Sequence, residues 1–292
     1  MGICDGRSVI VTGSGGGLGR AYAIALAEAG ACVVVNDIRA EAAAETAALI
    51  AAKAGRAIAN ADDITTLDGA ARIVGAGVAA FGEVHAVVNN AGIVRDRLFV
   101  NMTEEEWDAV MRVHLRGHFC LANTLARRWR DLHKQGVSVG GRIINTSSGA
   151  GLQGSVGQSN YTAAKAGIAA LTLVQAAELG RYGITVNALV PAARTPMTEP
   201  VFGAVMKPPE DGGFDKFAPE NVAPFVVYLV STQSAHVTGQ NFEVEGGKIC
   251  IAEGWHSGPA RDKAARWLPE EVGGVVDTLL AEVRPSQKVF GS

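Results

Sequence analysis

Three polar residues in the middle of the chain have the types and spacing that proton transfer requires. Tyr161 and Lys165 are four residues apart in a segment that predicts a helix, so both lie on one helical face. A phenol, with a pKa of about 10, is a poor acid or base at neutral pH unless a cation such as the Lys165 ammonium stabilises its phenolate. Ser148 follows a predicted strand, and its hydroxyl can hydrogen-bond a substrate oxygen. These residue types favour acid–base chemistry on an alcohol or a ketone.

A glycine-rich turn at residues 12–19 separates a short apolar strand, predicted at 8–12, from a helix predicted at 18–30. Backbone amides at such a helix N-terminus can bind a pyrophosphate, because glycine permits close approach and the helix dipole favours an anion. The turn matches neither a strict G-x-G-x-x-G nor a P-loop, since no lysine follows the glycines. Taken alone, it is compatible with a dinucleotide site or with a purely structural turn.

Asp37 lies at the end of the second predicted strand, at a distance from the turn that is typical of a ribose-binding carboxylate. Such a carboxylate accepts hydrogen bonds from both ribose hydroxyls of adenosine and repels a 2′-phosphate. The structural alternative is a helix N-cap aspartate. Arg39 is a nearby guanidinium that could bind a phosphate, but neither Gly16 nor Ile38 is basic. We therefore expect the cofactor to be NAD rather than NADP.

The elements needed to position these residues alternate between strand and helix. Strands are predicted at 8–12, 32–36, 57–60, 84–89, 142–146, 184–190 and 241–244, and helices at 18–30, 40–54, 66–80, 103–134, 158–181 and 269–283. This order predicts an α/β fold, a single doubly wound Rossmann-type domain whose parallel sheet is flanked by helices. We expect the domain to span 1–247 and a C-terminal extension, 248–292, to pack on it or on a neighbouring subunit. Residues 203–219 predict a mobile loop.

The composition argues against several classes of protein. Hydrophobic residues make up 48% of the 292 and charged residues 19%, with a net charge of −3, so the chain can form a core but has no basic stripe. We expect neither a nucleic-acid nor a membrane partner. The four cysteines form no CxxC pair, and no apolar run is long enough to span a membrane. We expect reduced thiols and a cytoplasmic location.

Together, these motifs resemble the short-chain dehydrogenase/reductase family over about residues 5–247. The turn at 12–19 is similar to the family's TGxxxGxG, residues 89–92 to its NNAG segment, Ser148 to its catalytic serine, and Tyr161 with Lys165 to its YxxxK. The resemblance implies an NAD-dependent oxidoreductase that interconverts a secondary alcohol and a ketone, with Tyr161 as the acid/base. It also implies a cofactor-binding set: Gly13, Gly17, Leu18, Gly19, Asp37, Asp63, Asn89, Gly92, Tyr161, Lys165 and Thr195.

The same resemblance assigns a part of the cofactor to most of this set. The glycines of the turn would line the pyrophosphate, and Asp37 would bind the adenosine ribose. Asp63 would contact adenine, with Asn89 and Gly92 near it. Lys165 would bind the nicotinamide ribose, and Thr195 would reach the nicotinamide amide.

His114 departs from the family pattern. The family usually has an asparagine in a V-N-L segment of the central helix, where it helps to hold a water in a proton relay, but residues 113–117 read V-H-L-R-G. Histidine also donates and accepts hydrogen bonds, so we expect His114 to serve in the relay with altered pH behaviour. His118 is four residues further on, yet no HExxH and no third ligand accompany the pair, and we predict no metal site.

The V-H-L-R-G run and residues 89–97 resemble the branch that contains the (3R)-hydroxyacyl-CoA dehydrogenase units of peroxisomal multifunctional enzymes and related bacterial proteins. The expected walls of the substrate cleft, 150–158 and 193–219, favour a bulky apolar substrate such as a fatty acyl or steroid moiety, although ordinary loop packing explains them equally well. Their small and apolar members are Ala150, Leu152, Val156, Met197, Val201, Phe202, Val205 and Met206.

Three alternatives stay open. The chain could be a hydroxysteroid dehydrogenase, a 3-oxoacyl reductase of the same family, or an NAD-sensing protein without catalysis. The intact Ser148, Tyr161 and Lys165 set argues against the last of these. Because the family is commonly oligomeric, the resemblance also implies a homo-oligomer, either a tetramer or a dimer.

Overall fold

The computed structural model describes residues 2–199, 203–285 and 287–292. An eight-stranded sheet forms its centre, with the strand order β3-β2-β1-β4-β5-β6-β7-β8. The strands are β1 (Ser8–Thr12), β2 (Cys32–Asn36), β3 (Arg56–Asn60), β4 (Ala86–Asn89), β5 (Arg142–Thr146), β6 (Thr185–Ala192), β7 (Asn241–Glu245) and β8 (Lys248–Ile251). The helices used below are α1 (Gly17–Glu28), α2 (Ala40–Ala52), α3 (Leu67–Phe81), α4 (Glu104–Met111), α5 (Gly117–Lys134), α6 (Gly149–Gln153), α7 (Ser159–Leu179), α8 (Ala223–Val230) and α9 (Pro269–Glu282).

The strands from β1 to β7 are parallel, and the order reverses between β1 and β4. The central strands β1, β2 and β4 are short, apolar and buried, as expected for strands covered on both faces, whereas the edge strand β3 is partly exposed. Val9 and Val11 pack into one core cluster with α1 and α8, whereas Ile10, between them, packs into a second with α3 and α5. The predicted doubly wound α/β fold is confirmed. Because ligands of such sheets bind beyond the carboxyl ends of the strands at the reversal point, that edge is where a site is expected.

Several features differ from the sequence-based prediction, which also lacked the helices α6 and α8. The sheet continues past residue 247, because a turn at Gly246–Gly247 brings β8 back antiparallel to β7, so residues 248–251 are part of it. The helix predicted over 103–134 is divided into α4, a π-helical segment at Arg112–Arg116, and α5. Such π-helical segments are rare and frequently occur at functional sites. None of the described helices is long and apolar enough to cross a membrane.

Candidate active site

Ser148 stands just beyond the carboxyl end of β5 and caps α6, where its Oγ accepts a hydrogen bond from the Ala150 N–H at 3.2 Å. The preceding residue, Ser147, is buried and donates through Oγ to the Lys165 carbonyl at 2.8 Å. This bond ties the loop after β5 to α7. The serine predicted to contact a substrate oxygen is thereby held beside the helix that carries the predicted acid/base.

Tyr161 and Lys165 lie one turn apart on α7. The Lys165 ammonium is buried, donates to the Thr146 carbonyl at 2.6 Å, and lies 5.5 Å from the centre of the Tyr161 ring. Asn160, fully buried, accepts the Tyr161 N–H through Oδ1 at 2.7 Å and donates through Nδ2 to the Arg95 and Glu106 carbonyls. The start of α7 is therefore fixed to the segment that follows β4 and to α4.

Burial dominates the ionisation of this pair. It lowers the pKa of Lys165 to about 7. It also raises the pKa of the Tyr161 phenol above its ordinary value, against a hydrogen bond with Ser148 that lowers it. The sequence-based argument anticipated a phenol whose pKa is lowered by Lys165. The structure instead has a phenol that keeps its proton at neutral pH, because desolvation penalises both charged forms.

His114 lies in the π-helical segment and packs edge-on against Tyr161, with the ring centres 5.1 Å apart. Its Nε2 lies 3.0 Å from the Ile93 nitrogen and 2.7 Å from the Ile93 oxygen. Its buried Nδ1 has no hydrogen-bond partner among the described residues. Burial, followed by the charge of Lys165, holds the pKa of His114 well below its usual range, so the ring is neutral. A neutral imidazole with one free nitrogen can still accept or donate a proton.

Gly92 and His118 frame this histidine. A Cβ placed on Gly92 would lie 2.3 Å from His114 Cε1, so only glycine leaves room for the ring. His118 is buried, accepts the Thr146 N–H through Nε2 at 3.3 Å, and has its pKa lowered to about 3, mainly by burial. The two histidines thus bind separate parts of the backbone.

The glycine-rich turn crosses the carboxyl ends of β1 and β4. Gly13 has φ +61°, and a Cβ on it would lie 2.8 Å from Ala91 Cα, so glycine is required for the close approach. Gly17 begins α1, Leu18 packs on the core, and Gly19 is buried against the Gly13 carbonyl. The first turn of α1 carries no acidic side chain, which leaves its N-terminal dipole available to an anion.

Asp37 follows β2 beside this turn and is 7% exposed. Its Oδ2 accepts the Gly15 N–H at 3.0 Å, while Oδ1 accepts the Arg39 N–H at 3.0 Å and the Arg39 Nε–H at 3.2 Å. The Arg39 side chain is mostly exposed. The Asp37 carboxylate therefore contacts both the glycine turn and the Arg39 guanidinium.

Two predicted adenine neighbours have internal hydrogen-bond partners. Asp63, in the loop between β3 and α3, accepts the Thr65 N–H and hydroxyl at 2.8 and 2.9 Å. Asn89, at the end of β4, is buried and donates through Nδ2 to Asn145 Oδ1 at 3.0 Å. Asn145 in turn donates to Thr172 and Gln175 on α7. Both predicted residues stand at the carboxyl edge of the sheet, and Asn89 also joins β4 to β5.

Thr195 follows β6 on the opposite side of the turn. A Cβ on Gly17 would lie 3.5 Å from the Thr195 side chain, so the two face each other closely. The loop predicted at 203–219 is irregular but anchored, because Arg194 forms an ion pair with Asp215 and donates to the Met206 carbonyl. Val201 and Phe202, predicted to wall the cleft, lie outside the described residues.

Sequence reasoning missed three asparagine side chains, two of them buried, that support the site. Asn90 donates to the Thr12 hydroxyl and carbonyl, both at 2.9 Å, and so locks the glycine turn to β4. Asn145 and Asn160 organise α7 in the same manner. An asparagine inside or beside an apolar strand is a local signal for such a residue, but its partners are remote in sequence and become visible only in the fold.

The residues present fit a dinucleotide. The turn offers a side-chain-free cradle and a helix N-terminus for a pyrophosphate, Asp37 offers a carboxylate for a ribose, and Lys165 with Tyr161 lies further along the same edge. Ser148 and His114 both contact the Tyr161 side chain. This arrangement can combine dinucleotide binding with proton transfer.

The chain belongs to the short-chain dehydrogenase family, whose model matches residues 7–204. Hydroxyacyl-CoA dehydrogenase ChsB1 of Mycobacterium tuberculosis is 48% identical over 292 residues, covering 97% of this chain and 91% of that protein. Peroxisomal multifunctional enzyme type 2 of Mus musculus is 42% identical over 254 residues, covering 84% of this chain and 32% of that protein. The crystal structure of a short chain dehydrogenase from Mycobacterium avium has a TM-score of 0.91 at 53% identity and covers all of both chains.

The predicted family and its hydroxyacyl-CoA branch are confirmed by these relatives. The protein is an oxidoreductase that acts on CH–OH groups of a small-molecule substrate and uses an NAD(P)-type dinucleotide.

Proposed function

We propose that the protein is an NAD-dependent oxidoreductase that interconverts a secondary alcohol and a ketone, with a 3-hydroxyacyl-CoA or another bulky apolar hydroxy compound as substrate. The convergence of Ser148, Tyr161 and Lys165 beside the glycine turn is the observation that carries the proposal. The substrate class is supported by the 48% identity to a hydroxyacyl-CoA dehydrogenase over 97% of the chain.

In the proposed mechanism, Ser148 and Tyr161 hold the substrate oxygen by hydrogen bonds. A dinucleotide held by the glycine turn, Asp37 and Lys165 would supply the hydride for ketone reduction or take it up in alcohol oxidation. In ketone reduction, the protonated Tyr161 phenol donates its proton to the oxygen, and in alcohol oxidation the phenolate removes the hydroxyl proton. Because burial favours the protonated phenol, the oxidative direction is expected to speed up as the pH rises.

Lys165 and His114 act on Tyr161 in this scheme. Lys165 supplies positive charge beside the ring when protonated and binds the nicotinamide ribose. His114, in edge contact with the Tyr161 ring, offers its partnerless Nδ1 to a proton relay. Gly13, Gly17, Leu18 and Gly19 would cradle the pyrophosphate. The remaining contacts are those that the family resemblance implies. Adenine would bind near Asp63, Asn89 and Gly92, and the nicotinamide amide would be contacted by Thr195.

His114 is expected to be replaceable by asparagine but not by leucine. His114→Asn keeps a side chain that can donate to or accept from the Ile93 backbone, so kcat should stay within about tenfold of the wild type, with a shifted pH profile. His114→Leu removes the side-chain partner of the part-buried Ile93 backbone and also the relay group, so kcat should fall about 10²-fold or more. Steady-state rates between pH 6 and 10 measure both effects, with His118→Asn as the control. A leucine variant with the wild-type rate and pH profile would remove His114 from the relay.

NAD specificity is proposed to depend on Asp37. Its carboxylate can accept hydrogen bonds from ribose hydroxyls and repels a 2′-phosphate. The same carboxylate forms an ion pair with Arg39. We expect wild-type NADH to bind more tightly than NADPH. Asp37→Ser removes the repulsion and frees Arg39, so NADPH affinity should rise by about 10- to 100-fold, the scale of one charge-assisted hydrogen bond.

Titration calorimetry with NADH and NADPH measures these affinities. The double variant Asp37→Ser with Arg39→Ala is the matched control, and it should lose most of the NADPH gain because the phosphate no longer meets a guanidinium. Tighter NADPH binding by the wild type would overturn the assignment of Asp37.

The substrate proposal is tested with a panel of 3-hydroxyacyl-CoA thioesters, hydroxysteroids and simple secondary alcohols, followed as NADH formation. We expect the highest kcat/KM with a 3-hydroxyacyl-CoA. A preference for hydroxysteroids would favour a hydroxysteroid dehydrogenase. A preference for reduction of acyl-carrier-protein thioesters would favour a 3-oxoacyl reductase. The 36% identity to a 3-oxoacyl-[acyl-carrier-protein] reductase of Thermotoga maritima motivates a separate assay, in which reduction of acyl-carrier-protein thioesters is followed as NADH consumption. Absence of hydride transfer throughout would favour an NAD-sensing protein.

A homo-oligomer, tetramer or dimer, and a cytoplasmic location are part of the proposal. Helix α9 has no buried residue, and Val272, Val276 and Leu280, spaced four apart, form an exposed apolar stripe on it. Phe119 adds an exposed ring on α5. A second copy of the chain would cover these surfaces. The four cysteines are unpaired, as suits a reducing compartment.

A further inference from the structure

The last residues of the chain return to the loop that follows the catalytic serine. Phe290 pairs with Ser155 in a parallel bridge: its N–H donates to the Gly154 carbonyl at 3.2 Å, and its carbonyl accepts the Val156 N–H at 2.9 Å. Val289 packs on Gly154, where a Cβ would lie 3.3 Å from Val289 Cγ1. We call residues 287–292 the C-terminal tail.

The Phe290 ring extends this contact to the residue next to Ser148. A Cβ placed on Gly149 would lie 3.2 Å from Phe290 Cε2, so the ring rests against Gly149. Consecutive Cα atoms are about 3.8 Å apart, which puts the ring within about 8 Å of the Ser148 backbone. Phe290 is 44% exposed, so part of its ring remains free next to the segment that carries Ser148.

Beyond β8, which pairs with β7, the extension docks on the rest of the chain mainly through the tail. Helix α9 has no buried residue and Trp255 is fully exposed, whereas the tail makes two main-chain hydrogen bonds and two side-chain contacts with residues 149–156. Residues 150–158 are the segment expected to wall the substrate cleft. The end of the chain therefore places Phe290 against this segment.

We propose that the C-terminal tail forms part of the substrate cleft and that Phe290 is a specificity-determining residue for the apolar portion of the substrate. The inference rests on the proposed function, because it assumes that the substrate oxygen binds at Ser148. A flat ring beside this position suits an acyl chain or a fused-ring body, and a short substrate would not reach it.

Kinetic selectivity tests the role of Phe290. The ratio of kcat/KM for 3-hydroxypalmitoyl-CoA to that for 3-hydroxybutyryl-CoA should fall about tenfold in Phe290→Ala, as expected when an apolar contact is lost from a pocket. The value for 3-hydroxybutyryl-CoA and the NADH affinity should stay within about twofold of the wild type. Trp255→Ala, an aromatic truncation in the same extension, should leave the ratio unchanged. An unchanged ratio in Phe290→Ala overturns the specificity role.

A cross-link tests the docking of the tail independently of activity. A Cβ on Gly154 would lie 3.8 Å from Val289 Cβ, within the range of disulfides. Gly154 has φ +85°, which strains any side chain, so Gly154→Cys alone must first be shown to fold. The double variant with Val289→Cys should then form an intrachain disulfide on mild oxidation. Peptide mapping and the non-reduced mass identify it, with each single variant as a control for folding. A disulfide between two chains, or none in a folded double variant, overturns docking within one chain. If the wild type turns over neither thioester, the proposed substrate class fails while the cross-link still decides where the tail lies.

Discussion

Tyr161→Phe is expected to lower kcat by about 10²–10⁴-fold while NADH affinity stays within about twofold, the range for loss of a general acid/base. The substitution removes one oxygen and leaves the ring that packs against His114 and faces Lys165. No backbone hydrogen bond depends on the phenol oxygen among the described contacts, so the fold should be retained. The loss should therefore fall on the chemical step.

Stopped-flow measurement of hydride transfer and fluorescence titration with NADH separate these two effects. Tyr182→Phe, on a tyrosine near the opposite end of α7, is the matched control and should keep wild-type turnover. Hydride transfer at a near wild-type rate in Tyr161→Phe would contradict the assignment of Tyr161 as the acid/base, because a phenylalanine ring can neither donate nor accept a proton.

Lys165→Met is expected to abolish most turnover and yet to stabilise the fold at neutral and acidic pH. The pKa of Lys165 is about 7 in the folded protein against an ordinary 10.5, so the buried ammonium is penalised. Between these two values the unfolded chain binds a proton that the folded chain lacks, and the free energy of unfolding rises with pH. Below pH 7 both states are protonated, and the folded protein bears the full penalty.

Removing the amine removes that penalty, while the Thr146 carbonyl loses its donor. The two effects oppose each other. Relief from the lowered pKa of Lys165 stabilises the fold by several kcal/mol, whereas an unpaired buried carbonyl destabilises it by about 1–3 kcal/mol. We expect Lys165→Met to be more stable than the wild type by about 1–3 kcal/mol at pH 6, with the gain disappearing by about pH 10. The kcat should fall at least about 10²-fold, because Tyr161 loses its neighbouring cation.

Unfolding by urea at pH 6, 8 and 10, at fixed protein concentration, measures the stability difference. Lys53→Met, on an exposed lysine paired with Glu28, is the control and should show no comparable pH-dependent gain. Equal destabilisation of Lys165→Met at all three values would mean that the Nζ bond to Thr146 outweighs the desolvation of the ammonium.

Much of the fold is readable from local patterns. The run SVIVT at β1 predicted a doubly covered strand, and its alternation with helices predicted a doubly wound sheet, which the structure has. The β8 strand was missed because a short edge strand after Gly246–Gly247 has little periodicity to detect. The π-helical segment was missed because its hydrogen bonds, not its composition, distinguish it from an α-helix.

For the site, the four-residue spacing of Tyr161 and Lys165, the glycine turn and Asp37 after β2 are local features. Their relative positions follow from helix pitch and from strand–turn–helix geometry, and do not depend on distant parts of the chain. The class of chemistry could therefore be inferred from these residues. The depressed pKa of Lys165, the contact between His114 and Tyr161, and Phe290 beside Ser148 could not. Each depends on burial or contact between segments remote in sequence, and desolvation is set by everything that surrounds a group in the folded chain.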